Sequence, residues 1–254
     1  MKIIVLGVGS SGGTPQIACS CETCTSADPR NTRTRSSSLI VLEGGEHILI
    51  DTGPDLRHQA LRENIRRVDA VLYTHAHADH LNGIDDLRAF CASGKKQIPI
   101  YANAPTLHNI TSRFGYAFQP PREYWDLPTL TAHETTAPFE LFGHRIIPIS
   151  LQHGRASILG WRIGNFAYLT DISAIPDESM DLLGGLDVLL LDCLRIRPHN
   201  THINLEQSLA YAQKIQANRT FLIHMTHELE YHAMAARLPE GIYVGYDGLR
   251  LELA

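Results

Sequence analysis

The sequence predicts a single α/β domain, and three observations carry this prediction. The chain has 254 residues, enough for one large α/β domain or two small ones. Several apolar runs of strand length end in a histidine or an aspartate, and side chains that converge at strand carboxyl ends form sites in open α/β sheets. Each half of the chain runs strands and then helix, with no Ser/Gly linker. We therefore expect one domain over residues 1–254, built of two similar halves.

The first half is expected to begin with a strand and a hairpin and then to alternate strands with helices. Apolar runs bounded by turn residues predict strands over residues 2–8, 37–42, 47–50, 68–74 and 98–101. Apolar residues at helical spacing predict helices over 54–67, 84–91 and 105–114. Leu56, Ala60, Leu61 and Ile65 share one face of the first helix, and the third has a proline at its start, as helices favour. Residues 115–128 are expected to form a long surface loop.

The second half repeats this order of elements. Its predicted strands cover residues 145–151, 157–163, 165–169, 186–191, 219–223, 242–244 and 249–253. The second and third of these are expected to pair as a hairpin. Its predicted helices cover residues 204–216 and 228–237.

Composition and charge narrow the class of protein. A hydrophobic fraction of 44% and a charged fraction of 19% are typical of a globular chain. A net charge of −5 disfavours broad nucleic-acid binding, which usually requires a basic surface. The apolar run over residues 3–8 is too short for a signal-peptide core, and no run approaches the length of a membrane span. We therefore expect a reducing, cytoplasmic location, with no membrane and no nucleic acid as partner.

The densest group of chemically active side chains is His75-Ala76-His77-Ala78-Asp79-His80, directly after the apolar run 68–74. Four ligand-type side chains within six residues predict a metal site. The adjacent Asp79 and His80 cannot easily bind the same ion as His75 and His77, so the spacing indicates two ions. Two-metal sites hold their ions about 3.5–4 Å apart and suit hydrolysis at phosphorus or at a carbonyl carbon.

Three more predicted strands end in a ligand-type residue, and these residues are His153, Asp171 and His224. We expect them to converge with the first cluster. Asp51 and Asp192 also follow predicted strands. An acid in this position often orients a neighbouring ligand, although Asp51 could equally cap a helix or a turn.

A second metal-type group is the cysteine cluster near the start of the chain. Cys19, Cys21 and Cys24 supply three thiols within six residues, which is typical of a metal knuckle and not of a disulfide framework. Structural zinc requires four ligands, and His227 is the candidate for the fourth. The knuckle would therefore cover about residues 19–24 and be closed by residue 227.

The remaining histidines and cysteines are assigned no chemistry. Cys91 and Cys193 lie in apolar contexts and are expected to be small buried residues. The histidines expected to be surface or structural residues are His47, His58, His108, His133, His144, His199 and His232.

The order of these residues resembles the metallo-β-lactamase superfamily over the whole chain. The resemblance implies a four-layer αββα sandwich, in which two facing sheets are covered by helices and a dinuclear site lies at one edge. It implies that one ion is held by His75, His77 and His153. It implies further that the other ion is held by Asp79, His80 and His224, and that Asp171 bridges the two.

A narrower resemblance is to the PhnP-type phosphodiesterases. It is carried by Gly7-x-Gly9-x-x-x-Gly13-x-Pro15, by the three cysteines and by His224-x-x-His227. It implies a structural zinc in the knuckle, active-site manganese with zinc, nickel and iron as alternatives, and a homodimer. It also implies that His202 donates a proton near the substrate and that Arg155 reaches a phosphate. The substrate it implies is a small phosphorylated sugar or nucleotide diester, first of all 5-phosphoribosyl 1,2-cyclic phosphate in phosphonate breakdown.

The mechanism expected from this assignment is hydrolysis by two ions and an acid. The ions lower the pKa of a water and neutralise the charge that develops on the phosphoryl oxygens. His202, as imidazolium, protonates the leaving alkoxide, and Asp79 is counted with it as catalytic. General-acid help of this kind is typically worth about 10²–10⁴-fold in rate.

Three other functions stay open at this point. A nuclease of the tRNase Z kind would share the ligands, but the acidic net charge and the absence of a long basic insertion argue against it. A thioester or lactam hydrolase would use similar ligands, but the cysteine knuckle favours the phosphodiesterase. A metal-binding partner without turnover is the alternative from another class, and the full ligand set argues against it.

Overall fold

Fourteen strands form the framework of the part of the chain that the computed structural model describes, residues 1–91, 96–119 and 128–253. They are β1 Lys2–Gly7, β2 Ser37–Val41, β3 His47–Ile50, β4 Ala70–Leu72, β5 Ile98–Ala102, β6 Leu130–Glu134, β7 Phe139–Leu141, β8 His144–His153, β9 Ala156–Ile163, β10 Phe166–Leu169, β11 Val188–Asp192, β12 Arg219–Ile223, β13 Ile242–Val244 and β14 Arg250–Glu252. The α-helices are α1 Leu56–Arg62, α2 Ala78–Leu81, α3 Ala104–Arg113, α4 Asp177–Met180, α5 Leu205–Ile215 and α6 Tyr231–Ala235. The 3-10 helices are Pro29–Asn31, Ile84–Phe90, Gly115–Phe118 and Asp181–Leu183.

The strands form two mixed sheets of seven. The first has the order β14-β1-β2-β3-β4-β5-β6 and the second the order β13-β12-β11-β10-β9-β8-β7. In the first sheet β3 to β6 are parallel. In the second sheet β10 to β13 are parallel, and β8 points the same way as β10 because each is antiparallel to β9. The carboxyl ends of β8, β10, β11 and β12 therefore lie along one edge of the second sheet.

The sheets face each other across the largest apolar core. Ile40 and Ile50 of the first sheet belong to the same buried cluster as Trp161 and Tyr168 of the second. Burial of one such large side chain stabilises the fold by about 1.5–3 kcal/mol relative to its exposure. Because the inner faces bury each other and the outer faces carry helices, most strands are apolar on both faces.

Each outer face has its own core against helices. Leu49 and Val71 of the first sheet pack with residues of α1, α3 and the 3-10 helix Ile84–Phe90. Leu189 of the second sheet packs with Ala212 and Ile215 of α5. The layers are therefore helix, sheet, sheet and helix, which confirms the predicted α/β class and the αββα sandwich. No helix in the described ranges is long and apolar enough to cross a membrane.

The structure corrects several predicted elements of the first half. The helix predicted over 54–67 ends at Arg62, because Asn64 adopts a left-handed backbone conformation with φ of 53°. Leu61, predicted on the buried face, is 65% exposed. The helix predicted over 84–91 is the 3-10 helix Ile84–Phe90. Of the loop predicted over 115–128, residues 120–127 lie outside the described residues, and Gly115–Phe118 forms a 3-10 helix.

The second half needs fewer corrections. The helix predicted over 228–237 is reduced to α6, and the strand predicted over 145–151 runs on to His153. Strands β6 and β7 and the short helices α2 and α4 were not predicted. β6 and β7 are the outermost strands of their sheets, so their apolar pattern is weak: β6 buries only Leu130.

Candidate metal centre

Strand ends from both sheets converge on one group of titratable side chains. The loop after β4 carries His75 and His77 and continues into α2, which carries Asp79 and His80. His153 is the last residue of β8. Asp171 and His224 follow β10 and β12. Each sheet therefore supplies part of the same centre.

The first cluster comprises His75, His77, His153 and Asp171, whose ligand-type atoms all lie within 4.8 Å of one another. The Nε2 atom of His75 is 3.8 Å from Oδ1 of Asp171. The ring of His77 lies 4.5 Å from that of His75 and 5.0 Å from that of His153, centroid to centroid.

The second cluster comprises Asp79, His80, Asp171 and His224, again with ligand-type atoms within 4.8 Å of one another. His80 Nε2 is 3.1 Å from Oδ2 of Asp171 and 3.3 Å from Oδ2 of Asp79. His224 Nε2 is 3.3 Å from Oδ2 of Asp171 and 3.6 Å from Oδ2 of Asp79. Asp171 is shared: its Oδ1 faces His75 of the first cluster, and its Oδ2 faces the second cluster.

The donor atoms fit divalent ions. The Nε2 atoms of His75, His80 and His224 are buried and have no hydrogen-bond partner among the described residues. Nitrogen and oxygen ligands that bind one ion at about 2.0–2.2 Å in a tetrahedron lie about 3.4 Å from each other. The separations of 3.1–3.8 Å in the two clusters match that spacing. Buried imidazole nitrogens without a partner, beside shared carboxylates, are the donor set expected of a metal centre.

A hydrogen-bond network fixes which imidazole nitrogen faces the centre. Asp51 Oδ2 accepts from Nδ1–H of His80 at 2.8 Å and from the hydroxyl of Thr74 at 2.8 Å. Because the Thr74 hydroxyl donates to Asp51, it accepts from Nδ1–H of His75 at 3.0 Å. Asp51 Oδ1 accepts from the Thr74 backbone N–H at 2.8 Å. With both Nδ1 atoms protonated, the Nε2 lone pairs of His75 and His80 face the centre.

His153 is oriented in the same way by backbone. Its Nδ1–H donates to the carbonyl of Thr201 at 2.9 Å, which leaves its Nε2 as the acceptor. Thr201 lies on the loop between β11 and α5, so this contact ties that loop to the first cluster.

Three residues of the centre share an unusual backbone conformation. Asp51, Asp171 and His224 have φ of 59°, 56° and 57°, in the left-handed region. For a residue other than glycine this costs about 1–2 kcal/mol. Each residue follows a strand directly or by one position, so the chain turns sharply where the strand ends and places these side chains at the sheet edge.

The charges of the centre suit cation binding. Burial lowers the pKa of His75 and of His153, so both rings are neutral and can bind a metal. Burial alone would raise the pKa of Asp79, but His80 and His224 outweigh it and hold that pKa well below its ordinary value. The pKa of Asp171 is lowered in the same way against burial, by His224 and His80. Burial would likewise lower the pKa of His80, yet Asp171, Asp51 and Asp79 raise it. Five imidazoles thus surround the ionised carboxylates of Asp79 and Asp171.

His202 lies against this centre. Its ring stacks on His224 at a centroid distance of 5.0 Å and an interplanar angle of 9°, and it contacts His153 at 4.8 Å. Its Nε2 is 3.8 Å from Oδ1 of Asp171, and its Nδ1 is 3.4 Å from Oδ2 of Asp192. Asp192 also lies 3.5 Å from Nδ1 of His224, and the pair is fully buried.

Arg155 lies outside the two clusters, at a cleft of its own. It is exposed in the turn between β8 and β9 and lines a cleft of about 440 Å³ with Ser150, Gln152 and Glu178. The lining of that cleft includes none of the residues of the two clusters. A phosphate contact by Arg155 stays a prediction.

The predicted knuckle residues meet at a separate site. The Sγ atoms of Cys19, Cys21 and Cys24 lie 3.2, 3.3 and 3.5 Å from Nδ1 of His227. Ligands at zinc–sulfur and zinc–nitrogen distances in a tetrahedron would lie about 3.6 Å apart. The backbone N–H of Cys24 and the side chain of His227 lower the pKa of Cys21 to about 6, while burial raises that of Cys24 to about 11. The four donors fit a zinc ion.

Two features of the centre were missed by sequence reasoning. Thr74 and Thr201 orient candidate ligands without any signal in the sequence. Thr74 does so through its hydroxyl, which lies between His75 and Asp51, and Thr201 through its backbone carbonyl. His199, assigned to the surface, lies with its ring centroid 5.2 Å from that of His202. The spacing His199-x-x-His202 was the available signal.

Comparison with known proteins gives one family and several similar chains. A model described as the beta-lactamase superfamily domain matches residues 46–225. The crystal structure of a new diphosphatase from the PhnP family is 42% identical, with a TM-score of 0.92 over 100% of this chain and 98% of that one. The zinc-bound PqqB of Methylobacterium extorquens has a TM-score of 0.80 over the whole of both chains, but at 21% identity it is similar in fold alone.

A curated relative is an octanoyltransferase of Porphyromonas gingivalis. It is 38% identical over 253 residues, which are 98% of this chain and 51% of that protein. The chain thus spans about half the length of that relative.

Proposed function

The chain belongs to the β-lactamase superfamily and is of the PhnP type. From this premise we propose that its two clusters hold two divalent ions and that it uses them to hydrolyse a small phosphodiester. One ion would be held by His75, His77 and His153. The other would be held by Asp79, His80 and His224.

The shared carboxylate of Asp171 is the observation that carries this proposal. Its two oxygens face different clusters, which is what a bridging ligand between two ions requires. Two divalent ions held by these residues would supply the charge that stabilises an in-line displacement at phosphorus. Manganese is the metal proposed first, with zinc, nickel and iron as alternatives, because a nitrogen- and oxygen-rich site accepts each of them.

The residues of the chain divide the remaining work. When bound, the ions supply positive charge that polarises the phosphoryl group and lowers the pKa of the attacking water. Asp51 holds His75 and His80 in the tautomer whose Nε2 faces that charge. His202 holds a proton beside the centre, with Asp192 3.4 Å from its Nδ1, and gives it to the leaving oxygen.

The substrate proposed first is 5-phosphoribosyl 1,2-cyclic phosphate. Addition of one water across its cyclic phosphodiester yields ribose 1,5-bisphosphate, a step of phosphonate breakdown. Support comes from the PhnP-type match and from a centre whose residues could hold two ions beside the proposed acid, His202.

A phosphoanhydride is the second candidate. The PhnP-family protein that shares 42% of its residues with this chain is described as a diphosphatase. The same ions and the same acid would serve that reaction, with a phosphate in place of the sugar alkoxide as leaving group. The match to an octanoyltransferase suggests no acyl-transfer activity for this chain, since about half of that protein lies outside the matched region.

We propose further that Cys19, Cys21, Cys24 and His227 hold a structural zinc. The donors are mutually spaced for a tetrahedron and lie apart from the catalytic clusters. His227 is three residues beyond His224, so the knuckle would stiffen the wall of the centre that His224 occupies.

The test is phosphorus NMR of the manganese-loaded protein with three substrates: the ribosyl cyclic phosphate, a nucleoside diphosphate sugar and bis(4-nitrophenyl) phosphate. We expect ring opening to ribose 1,5-bisphosphate, abolished in Asp79→Ala. Cleavage of the diphosphate alone would move the assignment to the second candidate. If none of the three is hydrolysed and a separate assay shows cleavage at an RNA end, a tRNase Z-like nuclease would be favoured. Two bound ions with no turnover of any ester would favour a metal-binding partner.

A further inference from the structure

The loop between β11 and α5 carries two histidines, of which the proposed mechanism uses one. His202 contacts the candidate ligands His153 and His224. His199 contacts His202, with ring centroids 5.2 Å apart and an interplanar angle of 57°. His199 is exposed, so the ring stands at the solvent side of the proposed acid.

Hydrogen bonds fix the tautomer of His199. The backbone N–H of Thr201 donates to Nδ1 of His199 at 3.3 Å, and the Thr201 hydroxyl lies 3.2 Å from the same atom. A backbone N–H can only donate, so Nδ1 accepts and carries no proton. The neutral ring of His199 therefore has its proton on Nε2, where it is a donor.

The same residue joins His199 to the first metal cluster. The carbonyl of Thr201 accepts from Nδ1–H of His153 at 2.9 Å. A Cβ atom at Gly154 would lie 2.9 Å from Cγ2 of Thr201, so the turn after β8 packs closely on this residue. Thr201 is thus held from two sides, and His199 is held by Thr201. The position of the His199 imidazole is therefore linked, through Thr201, to the candidate ligand His153.

The arginines of this loop have structural contacts. Arg195 donates to the carbonyls of Arg197 and Pro198 at 3.2 and 2.9 Å. Arg197 pairs with Glu228 at 2.6 Å. These bonds hold the loop in shape, and the ring of His199, which contacts His202, carries a side-chain donor at Nε2.

We propose, on the basis of the proposed function, that His199 determines specificity for the leaving group by donating from Nε2 to an oxygen of that group next to the one His202 protonates. Leaving groups with a second oxygen close to the scissile bond, namely sugars and phosphates, satisfy this donor. An aryl leaving group offers no such oxygen and leaves it without a partner. The site therefore favours sugar or phosphoryl leaving groups over aryl ones.

Three variants separate this role from a structural one. His199→Gln places an amide donor near the former Nε2 but no acceptor near Nδ1. His199→Asn keeps an acceptor near Nδ1, within reach of Thr201, but no donor at the Nε2 position. His199→Ala lacks both. Each is loaded with manganese and assayed on the three substrates named above, and its affinity for ribose 1,5-bisphosphate is measured by calorimetry.

We expect the Asn and Ala variants to lose up to about 10-fold in kcat/KM with a sugar leaving group, as for one lost hydrogen bond to a neutral oxygen, and about 10- to 100-fold with a phosphoryl leaving group, whose oxygen is charged. The Gln variant should keep a kcat/KM within about threefold of the parent protein on the same substrate. On bis(4-nitrophenyl) phosphate the Asn and Ala variants should lose less than on that substrate. The affinity for ribose 1,5-bisphosphate should fall in the same order as kcat/KM.

Rescue by Asn in place of Gln would show that the bonds to Thr201 matter and would overturn the proposal. Equal losses on all substrates would do the same. The proposed function is judged separately, on the parent protein: if it cleaves only the diphosphate, the ribosyl substrate is lost, and the three variants are compared on the diphosphate. If the parent protein cleaves only the aryl diester, the two-ion phosphodiesterase proposal stands, whereas both proposed substrates and the role of His199 are wrong.

Discussion

Replacement of Asp51 by asparagine should weaken one metal cluster more than the other. Asp51 is fully buried and accepts three hydrogen bonds of 2.8 Å, from the backbone and hydroxyl of Thr74 and from Nδ1 of His80. An amide can keep Oδ1 facing the Thr74 N–H, but its NH₂ then faces Nδ1–H of His80, donor against donor. The relief available is a tautomer change that protonates Nε2 of His80. That atom could then no longer bind an ion.

The magnitude follows from the loss of one orienting contact. Removing the partner that orients a ligand typically costs about 10- to 100-fold in metal affinity, or about 1.4–2.8 kcal/mol. The backbone adds little, because φ at Asp51 is 59° and asparagine tolerates this left-handed region. Alanine would add about 1–2 kcal/mol of backbone cost and would confuse the result. The ion held with His80 should be lost first, because His75 is linked to Asp51 only through Thr74.

The assay is metal content after dialysis together with calorimetric titration of manganese. The matched control is Asp55→Asn, four residues away, whose carboxylate binds Arg35 and none of the candidate ligands. We expect the Asp51 variant to keep one active-site ion and the control to keep two. An Asp51→Asn protein that binds two ions with the affinity of the control would refute the orienting role.

Three other perturbations have definite expected outcomes. Cys21→Ser should lose the knuckle zinc and lower Tm by about 5–10 °C while the other metals stay bound; unchanged zinc content and Tm would contradict the knuckle. His202→Ala should slow cleavage of alkoxide leaving groups by about 10²–10⁴-fold but 4-nitrophenyl groups far less, and equal slowing would argue against proton donation. Hydrogen bonds from Arg30 lower the pKa of Asp28 to about 2, so its carboxylate stabilises the fold above its ordinary pKa of 3.8 and this contribution is lost as the pH falls towards 2. Asp28→Asn should therefore lower Tm at pH 7, by a difference that shrinks towards pH 2, and a constant difference would contradict this origin.

The sequence located the strand ends well because burial on both faces leaves continuous apolar runs. Val188–Asp192 and Arg219–Ile223 were predicted within two residues for that reason. Helix bounds were predicted less well, since α1 ends where Asn64 turns left-handed and not where its apolar spacing ends. The edge strands β6 and β7 were missed, because each is partly exposed and its pattern is diluted. The facing of the two sheets came from family resemblance, since periodicity says nothing about which sheet a strand joins.

The candidate ligands could be proposed from sequence because a strand end followed by histidine or aspartate is a local signal. The orientation of these side chains could not be predicted from the sequence. The link from His75 through Thr74 to Asp51 depends on a hydroxyl that lies between two side chains brought together by packing. The contact of His153 with Thr201 is made by a carbonyl, which every residue has. His199 was grouped with the surface or structural histidines, because its contact with His202 is set by the fold of the loop.

The knuckle has a consequence for the order of folding. Three of its donors lie within six residues, but His227 is 203 residues beyond Cys24. Closing a loop of that length in a disordered chain costs about 5 kcal/mol in entropy. In the folded protein the loop is closed where the chain leaves β1 and β12, because the backbone N–H of Ser10 donates to the carbonyl of Met225 at 3.1 Å. We therefore expect that a zinc ion bound first by the three cysteines would gain His227 as its fourth ligand only once β1 and β12 have come together, late in folding.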